Sequence, residues 1–583
     1  MKKTMLYPLA GLLLAACSPA PQDAPSGDPI RINQVGYYVN QSKTAVIEEE
    51  GFCDNYQLQE IATSQIVWEG ACSRVSKSPW SDKEHHIIDF SSVKKPGQYR
   101  LIAGDYTKDI LIAEHPYRDL AKAAMKAFFY QRSGEPLLEL YAGQWARPLG
   151  HPDTCVLVHP SAAIKGRPEG TVLSCPGGWY DAGDFNKYIV NSGFSIGEML
   201  TIYQYNPKYF NALNLNIPES SNATPDVLDE ILVQLKWMLT MQDPTDGGVY
   251  HKLTSPEFGA FQMPSECHQP RYVVQKSTAA ALDFAATMAL ASRIYREYDE
   301  HKAFAHQAIE AATKAWQWAR RNPKKAYIQN ELNQKFDPDI TTGEYGDREF
   351  LDEFFWASTE LYFTTSKRIY LNEAGSRLAK DYRLPTWGQV SGLAAMEWMV
   401  FTTYGFSPET DRFGNKYTNL LTSYCDKLLE EMEQSIYDTP YGNQPHDFGW
   451  GCLAESCCGK GISLLFAYKM TNERKYLEAA FKCADYLLGR NATGYCYVTG
   501  FGSKSPMYPH HRISAFDSID APIPGLLVGG PNPAQQDQVE GYPSKHPDES
   551  YIDVTDSYSS NEVAINWNAA LFSFIGWLDA EVK

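Results

Sequence analysis

Three segments carry residue types from which hydrolytic chemistry can be built. Gly177-Gly178-Trp179-Tyr180-Asp181-Ala182-Gly183-Asp184-Phe185-Asn186-Lys187-Tyr188 holds two carboxylates three residues apart. Such a pair could cap a helix, bind calcium, or position a water for general-base attack, and spacing alone leaves these open. Tyr551-Ile552-Asp553 is followed by Tyr558-Ser559-Ser560-Asn561-Glu562-Val563-Ala564-Ile565-Asn566-Trp567-Asn568-Ala569. Its Glu562 is expected at the head of the last helix among apolar and aromatic neighbours. Such surroundings can raise a carboxyl pKa and keep it protonated. The alternative is a first-turn glutamate stabilised by the helix dipole. Tyr497-Val498-Thr499-Gly500-Phe501-Gly502 leads to Pro509-His510-His511-Arg512, where a His and an Arg on a Gly/Pro-rich loop can donate hydrogen bonds to hydroxyls.

The elements that must position these groups divide in two. Residues 29–114 read as β, with strand-like runs at 30–32, 44–47, 56–61, 86–90, 98–102 and 109–113 separated by turns such as Lys95-Pro96-Gly97. Six or seven strands predict a small β-sandwich. From Tyr117 the hydrophobic period becomes 3.6. Helical segments follow at 117–130, 191–205, 225–242, 276–298, 303–321, 351–364, 371–382, 388–403, 417–437, 455–470, 474–488 and 561–577. Thr224-Pro225 reads as a cap followed by a first-turn proline. Twelve helices are too many for a four-helix bundle, and no repeat marks a solenoid. A closed double ring of helices is the remaining arrangement, with loops at one rim forming a cleft.

The 583-residue chain carries 52 Lys+Arg and 70 Asp+Glu, a net charge of −18, which argues against a nucleic-acid partner. With 44% hydrophobic and 21% charged residues it is globular. Aromatic residues make up 13%, which fits either a large core or a surface that stacks on flat sugar rings. Met1-Lys2-Lys3, an apolar run from Met5 to Ala16, and Leu14-Ala15-Ala16-Cys17 read as a secretory signal over 1–17. Cys17 after two alanines resembles a bacterial lipobox, which would make it the lipidated first residue. An ordinary signal peptide with a coincidental cysteine is the alternative. Ser18 after the cysteine favours the outer membrane, so the expectation is an exported bacterial lipoprotein there. Residues 18–28, rich in Pro, Ser, Gly and Asp, read as a flexible tether.

Eleven further cysteines remain, and export makes disulfides possible. Cys53–Cys72 and Cys155–Cys175 are the expected pairs because each is local. Zinc is disfavoured by spacing, although His151 and His159 lie near Cys155 and Cys175.

Together the three segments resemble glycoside hydrolase family 9, the family of many β-1,4-glucanases. The Glu562 segment fits that family's C-terminal signature throughout. The His510-His511-Arg512 segment resembles its other signature, with Gly502 upstream, and Gly-Gly-Trp-Tyr-Asp-Ala-Gly-Asp resembles its nucleophilic-water loop. The resemblance covers roughly 116–583. Ile30-Arg31-Ile32-Asn33-Gln34-Val35-Gly36-Tyr37 looks like the start of the immunoglobulin-like module of one branch.

The resemblance implies an all-β immunoglobulin-like sandwich over 29–114 and an all-α (α/α)6 barrel over 116–583. It also implies an inverting mechanism, with Asp184 as general base, Asp181 holding the water, and Glu562 as general acid. His510 and Arg512 would bind sugar hydroxyls, and Tyr558 and Asp553 would line the acid's surroundings. Aromatic candidates for stacking are Trp145, Trp179, Trp237, Trp387 and Trp450. Trp387 and Trp450 are favoured because they lie in loops, and Trp237 is assigned to the core because it lies in a helix. Family members bind calcium near an Asp-Glu at a helix start, which points to Asp352 and Glu353; a solvated acidic helix start is the alternative. The adjacent Cys-His of zinc-binding members is absent. No cofactor is required by this reading, and a monomer is expected.

The expected substrate is β-1,4-glucan: cellulose-type or mixed-linkage chains, or their oligomers, cut by an endoglucanase. Exo-acting β-glucosidase or β-glucosaminidase action and xyloglucan cleavage are alternatives on the same fold. Asp153 is a candidate to meet an amino sugar. A lipid-anchored glycan-binding protein without catalysis is a reading from another class.

Overall fold

The computed structural model describes residues 28–582 except Asp82, with the side chain of Glu50 also outside the description. The signal segment, Cys17 and all of the 18–28 tether but Asp28 lie outside the described residues.

The N-terminal part is a two-sheet sandwich. One sheet orders β1 (Ile30–Arg31), β3 (Thr44–Glu48), β7 (Glu84–Asp89) and β6 (Arg74–Lys77). The other orders β2 (Tyr37–Tyr38), β9 (Tyr106–Ala113), β8 (Gly97–Ala103), β4 (Tyr56–Glu60) and β5 (Gln65–Gly70). Strand β8 alternates as a half-buried strand must, sending Tyr99, Leu101 and Ala103 into the sandwich core. The expectation missed β2, β5 and β6. Strand β2 has two residues, and β5 and β6 are edge strands with exposed side chains and little hydrophobic alternation.

Strand β3 is buried on both faces. Ala45 and Ile47 point into the sandwich core, while Val46 and its register partner Ile87 join the core of the helical part. Polar contacts fix the same junction. Asn33 Nδ2 donates to Asp485 and to the Tyr117 hydroxyl, and the Tyr38 hydroxyl donates to Asp579. Gln34 Oε1 accepts the amides of Ser503 and Lys504, so the sandwich also holds the segment that leads to His510.

The helical part contains twelve helices of nine residues or more among the described residues: Arg118–Gln131, Ile189–Tyr203, Asp226–Thr240, Thr278–Tyr295, Lys302–Arg321, Leu351–Thr365, Arg368–Ser376, Ser391–Thr403, Pro408–Met432, Gly459–Thr471, Arg474–Leu487 and Ile565–Glu581. Each overlaps an expected segment, as the (α/α)6 arrangement requires, although the expected 371–382 helix runs Arg368–Ser376 and the expected 417–437 helix runs Pro408–Met432. The helices Ile189–Tyr203, Thr278–Tyr295 and Ile565–Glu581 are buried along nearly their whole length, and Lys302–Arg321 is amphipathic. None of the described helices is long and apolar enough to cross a membrane.

Several local expectations are corrected. Pro225 itself is the N-cap of its helix, and the Thr224 hydroxyl is taken by Glu300 and His301 instead. A π-turn at Leu453–Cys458 precedes Gly459–Thr471. Glu562 lies in extended backbone between a short turn, Tyr558–Asn561, and the last helix, which begins only at Ile565. A small five-stranded sheet was not foreseen: β10 (Val156–Val158), β11 (Val172–Leu173), β12 (Lys187–Tyr188), β13 (Lys252–Thr254) and β14 (Tyr272–Val273). Its strands are two or three residues long, too short to show a period. The eleven cysteines from Cys53 onward are free thiols, so neither expected disulfide is present. Cys53 and Cys72 instead donate to the carbonyls of Asn55 and Arg74.

Candidate active site

Four segments distant in the chain are joined here by backbone pairing. Ala182 pairs antiparallel with Ala564, His510 pairs with Glu562, and Val528 pairs with Val563. The Ile565 amide donates to the Asp181 carbonyl at 2.8 Å, the His510 amide to the Asn561 carbonyl at 2.8 Å, and the Gly529 amide to the Glu562 carbonyl at 3.0 Å. The Arg512 amide and Nη1 both donate to the Gly183 carbonyl, at 3.1 and 2.9 Å. Gly183 permits this approach, because a Cβ there would lie 2.1 Å from the His510 carbonyl oxygen.

Strand β12, paired with β13, anchors the carboxylate loop from behind. Both oxygens of Asp181 are occupied: Oδ1 accepts from Asn191 Nδ2 at 2.9 Å and Oδ2 from the Tyr345 hydroxyl at 2.7 Å. Asp184 is asymmetric. Its Oδ2 accepts from Asn186 Nδ2 at 2.5 Å and from the Tyr188 hydroxyl at 3.4 Å, whereas its buried Oδ1 has no hydrogen-bond partner.

Burial, followed by the charge of Asp184, pushes Asp181 up to about 8, against the donors Asn191 and Tyr345. Burial pushes Glu562 up to about 8 as well. Asp184 and Asp181 reinforce that shift, while Arg512 and the Gly183 amide oppose it. Glu562 is therefore mostly protonated at neutral pH, and it feels both aspartates of the facing loop. Burial lowers the pKa of His510. Its Nδ1 donates to the Thr555 carbonyl at 2.7 Å, which leaves Nε2 of the neutral ring as an acceptor.

The Arg512 guanidinium lies 5.2 Å from the Phe261 ring and 5.8 Å from the Phe258 ring, and its Nε donates to the Gly259 carbonyl. Tyr558 is 37% exposed, with its ring 5.6 Å from that of Trp450, which is 46% exposed, and 6.0 Å from that of His510. Trp387 is half-buried with its ring 5.1 Å from Tyr345. These aromatic residues border the joined segments.

Other expected residues do not belong to this surface. Trp179 is fully buried, and its indole N–H donates to Glu230, so it cannot stack on a ligand. Trp237 is core. Trp145 is half-buried, and its N–H is taken by the Ala521 carbonyl. Asp553 accepts the amides of Met507 and Tyr508 and Asn561 Nδ2, so it braces the His510 and Glu562 segments. Asp153 is buried between Lys187 at 2.6 Å and Arg271 at 3.1 Å, which removes it from any role with an amino sugar. Sequence reasoning missed Tyr345, Asn186, Asn191, Phe258 and Phe261. The last two were readable as aromatics in a Gly/Pro-rich loop; the others carry no local signal.

Asp352 and Glu353 open the helix Leu351–Thr365. Asp352 Oδ2 accepts the Val390 amide, while Glu353 Oε2 and both carboxyl oxygens of Asp283 are buried without a partner. Burial, reinforced by neighbouring carboxylates, raises both Glu353 and Asp283 well above the carboxylate range. Such oxygens suit calcium. Among the described residues, however, no three His, Cys, Asp or Glu side chains form a group able to hold a metal ion, so backbone carbonyls or water would have to complete its shell.

The sequence profile of glycosyl hydrolase family 9 matches residues 117–575, and that of the cellulase N-terminal ig-like domain matches residues 26–108. The xyloglucan-specific endo-beta-1,4-glucanase BoGH9A of Bacteroides ovatus is 51% identical over 576 residues, 99% of this chain and 97% of that protein. Endoglucanase D of Acetivibrio thermocellus is 32% identical over 551 residues, 93% of this chain and 82% of that protein. Among solved structures, a Bacteroides ovatus GH9 protein superposes with a TM-score of 0.92 at 51% identity, covering 95% of this chain and all of that one. A thermostable endoglucanase of Alicyclobacillus acidocaldarius, solved as a single mutant, gives 0.83 at 31% identity, covering 95% of this chain and all of that one.

Proposed function

As the chain belongs to glycosyl hydrolase family 9, and is a glycoside hydrolase with an immunoglobulin-like domain ahead of its helical catalytic domain, we propose that it is an endo-acting β-1,4-glucanase that cleaves with inversion. Asp184 takes a proton from the attacking water as the water oxygen bonds to the anomeric carbon. Glu562 gives its proton to the departing glycosidic oxygen as the carbon–oxygen bond breaks. Asp181 holds the water beside Asp184. His510 and Arg512 bind hydroxyls of the sugar being cleaved, and Trp450, Tyr558 and Trp387 stack on neighbouring rings.

The observation that carries this reading is the pairing of Ala182 with Ala564, which sets the two-aspartate loop against the strand of a glutamate that is protonated at neutral pH. That is the division of labour inversion needs: one acid kept neutral and one base beside a water.

For the substrate, xyloglucan ranks first, because a relative 51% identical over 99% of this chain is named as specific for it. Unsubstituted and mixed-linkage glucans come next. Burial of Asp153 removes the residue that favoured glucosaminides. The test is reducing-sugar release from xyloglucan, carboxymethylcellulose, mixed-linkage β-glucan and chitosan, with Glu562→Gln and Asp184→Ala as controls and NMR of the anomer first formed. Glu562→Gln should lose turnover of natural glycosides and regain part of it on an activated aryl glycoside. Equal loss on both would overturn the acid assignment, and release from none of the polymers would favour a binding-only protein. Attachment to the outer membrane through lipidated Cys17 is proposed from the sequence, and labelled palmitate incorporation lost in Cys17→Ser tests it.

A further inference from the structure

Resting on the assignment of Asp184 as base, we propose that Asn186 is a positioning residue that gives the two oxygens of that carboxylate different tasks. Oδ2 is anchored, and Oδ1 is left as the atom that receives the water's proton.

The orientation of the Asn186 amide is dictated by its surroundings. Its Oδ1 meets the Ser255 amide at 2.9 Å, the Thr254 hydroxyl at 3.0 Å and Arg271 Nη1 at 3.5 Å. A backbone N–H and a guanidinium can only donate, so the side facing them must be the carbonyl. The NH2 is then committed to Asp184 Oδ2, at 2.5 Å. A carboxylate oxygen held by an N–H donor, with the Tyr188 hydroxyl as a second donor, is a poor place for a further proton. Oδ1, buried and without a partner, is the remaining acceptor.

Arg271 cannot swing away, because its Nη2 donates to the Phe185 carbonyl at 2.8 Å and its Nε pairs with Asp153 at 3.1 Å. Lys187 closes the chain by pairing with the other oxygen of Asp153 at 2.6 Å. A continuous buried relay, Lys187–Asp153–Arg271–Asn186, thus ends on one oxygen of Asp184. The carboxylate plane is set by residues that touch no substrate, and groups in such supporting positions commonly change activity by about 10- to 100-fold.

The experiment compares Asn186→Ala, Asn186→Asp, Thr254→Val and Asp184→Ala on carboxymethylcellulose and xyloglucan, with thermal melts to verify folding. Asn186→Ala should lower kcat by about 10- to 100-fold with little change in KM. Asn186→Asp sets a carboxylate against Oδ2. It should be slower than Asn186→Ala at pH 7 and gain on it as the pH falls and the two share a proton. A purely structural role would instead lower both variants alike, with a ratio independent of pH, and would overturn the inference. So would Asn186→Ala retaining wild-type kcat while Asp184→Ala is inactive, a result that leaves the reading of the site intact. An active Asp184→Ala would overturn that reading itself. Should Asn186→Ala not fold, Thr254→Val, which removes one donor from the amide carbonyl, decides: a lower kcat at constant KM supports the relay, and an unchanged kcat overturns it.

Discussion

The backbone carbonyl of Asp181 accepts the amide hydrogen of Ile565 at 2.8 Å. Through this bond, the first residue of the last helix is tied to the loop carrying two aspartates, and Glu562 stands three residues before it. The separation of the two acidic sites is therefore set by main-chain pairing, which is stiffer than side-chain contact.

Glycine is required where the segments meet. Gly183→Ala would put a Cβ 2.1 Å from the His510 carbonyl oxygen. Overpacking of this kind costs about 1–3 kcal/mol, and here it would also spread the two-aspartate loop from the His510 strand. Both Tm and kcat should fall. Gly166→Ala, which meets nothing within 4 Å, serves as a control and should change neither. Equal behaviour of the two variants in melts and kinetics would contradict this account of the junction.

The pH profile follows from Glu562, pushed up to about 8 by burial and then by Asp184. An acid with a raised pKa is protonated below that value and loses its proton above it. Thus kcat/KM should fall roughly tenfold per pH unit on the alkaline side. Arg512 favours the charged form of Glu562. Arg512→Met removes that support and should move the alkaline limb to higher pH while raising KM. A limb that moves to lower pH would show that Arg512 does not act on the acid.

Two tryptophans should separate binding from folding. Trp450→Ala, at an exposed ring beside Tyr558, should raise KM several-fold, a loss of about 1 kcal/mol, with Tm nearly constant. Trp179→Ala empties a fully buried position and removes the donor to Glu230; it should cost about 3–5 kcal/mol of stability. Kinetics and melts on the pair would refute the division if the two effects were exchanged.

The unpartnered oxygens of Asp283 and Glu353 make a calcium site testable. If Asp283 and Glu353 supply hard oxygens, calcium added to chelator-treated protein should raise Tm, and Glu353→Gln should remove the rise. A flat Tm through a millimolar titration would leave the two as neutral buried acids.

The expected helices were legible because the amphipathic ones, such as Lys302–Arg321, repeat every 3.6 residues and the largely apolar ones, such as Ile565–Glu581, run well past strand length; twelve such runs limited the architecture. The strands β10–β14 were not legible, since two or three residues carry no period. Glu562 was expected at a helix start because apolar residues continue on both sides of it. Pairing with His510 and with the 528–529 segment holds it extended instead.

The sequence alone determined the division into a β part and a helical part, and it contained the carboxylates, the His-Arg pair and the loop tryptophans as recognisable segments. These depend on residue type and local spacing. Only the tertiary structure decided that Trp179 is core while Trp450 is exposed, that Asp153 is consumed by Lys187 and Arg271, that Asp553 braces a loop, and that Asn186 and Tyr345 hold the aspartates. Except for the contact between Asn186 and Asp184, two residues apart in the same loop, each of these turns on which distant segment supplies the neighbour; even there, Thr254, Ser255 and Arg271 from elsewhere in the chain orient the Asn186 amide.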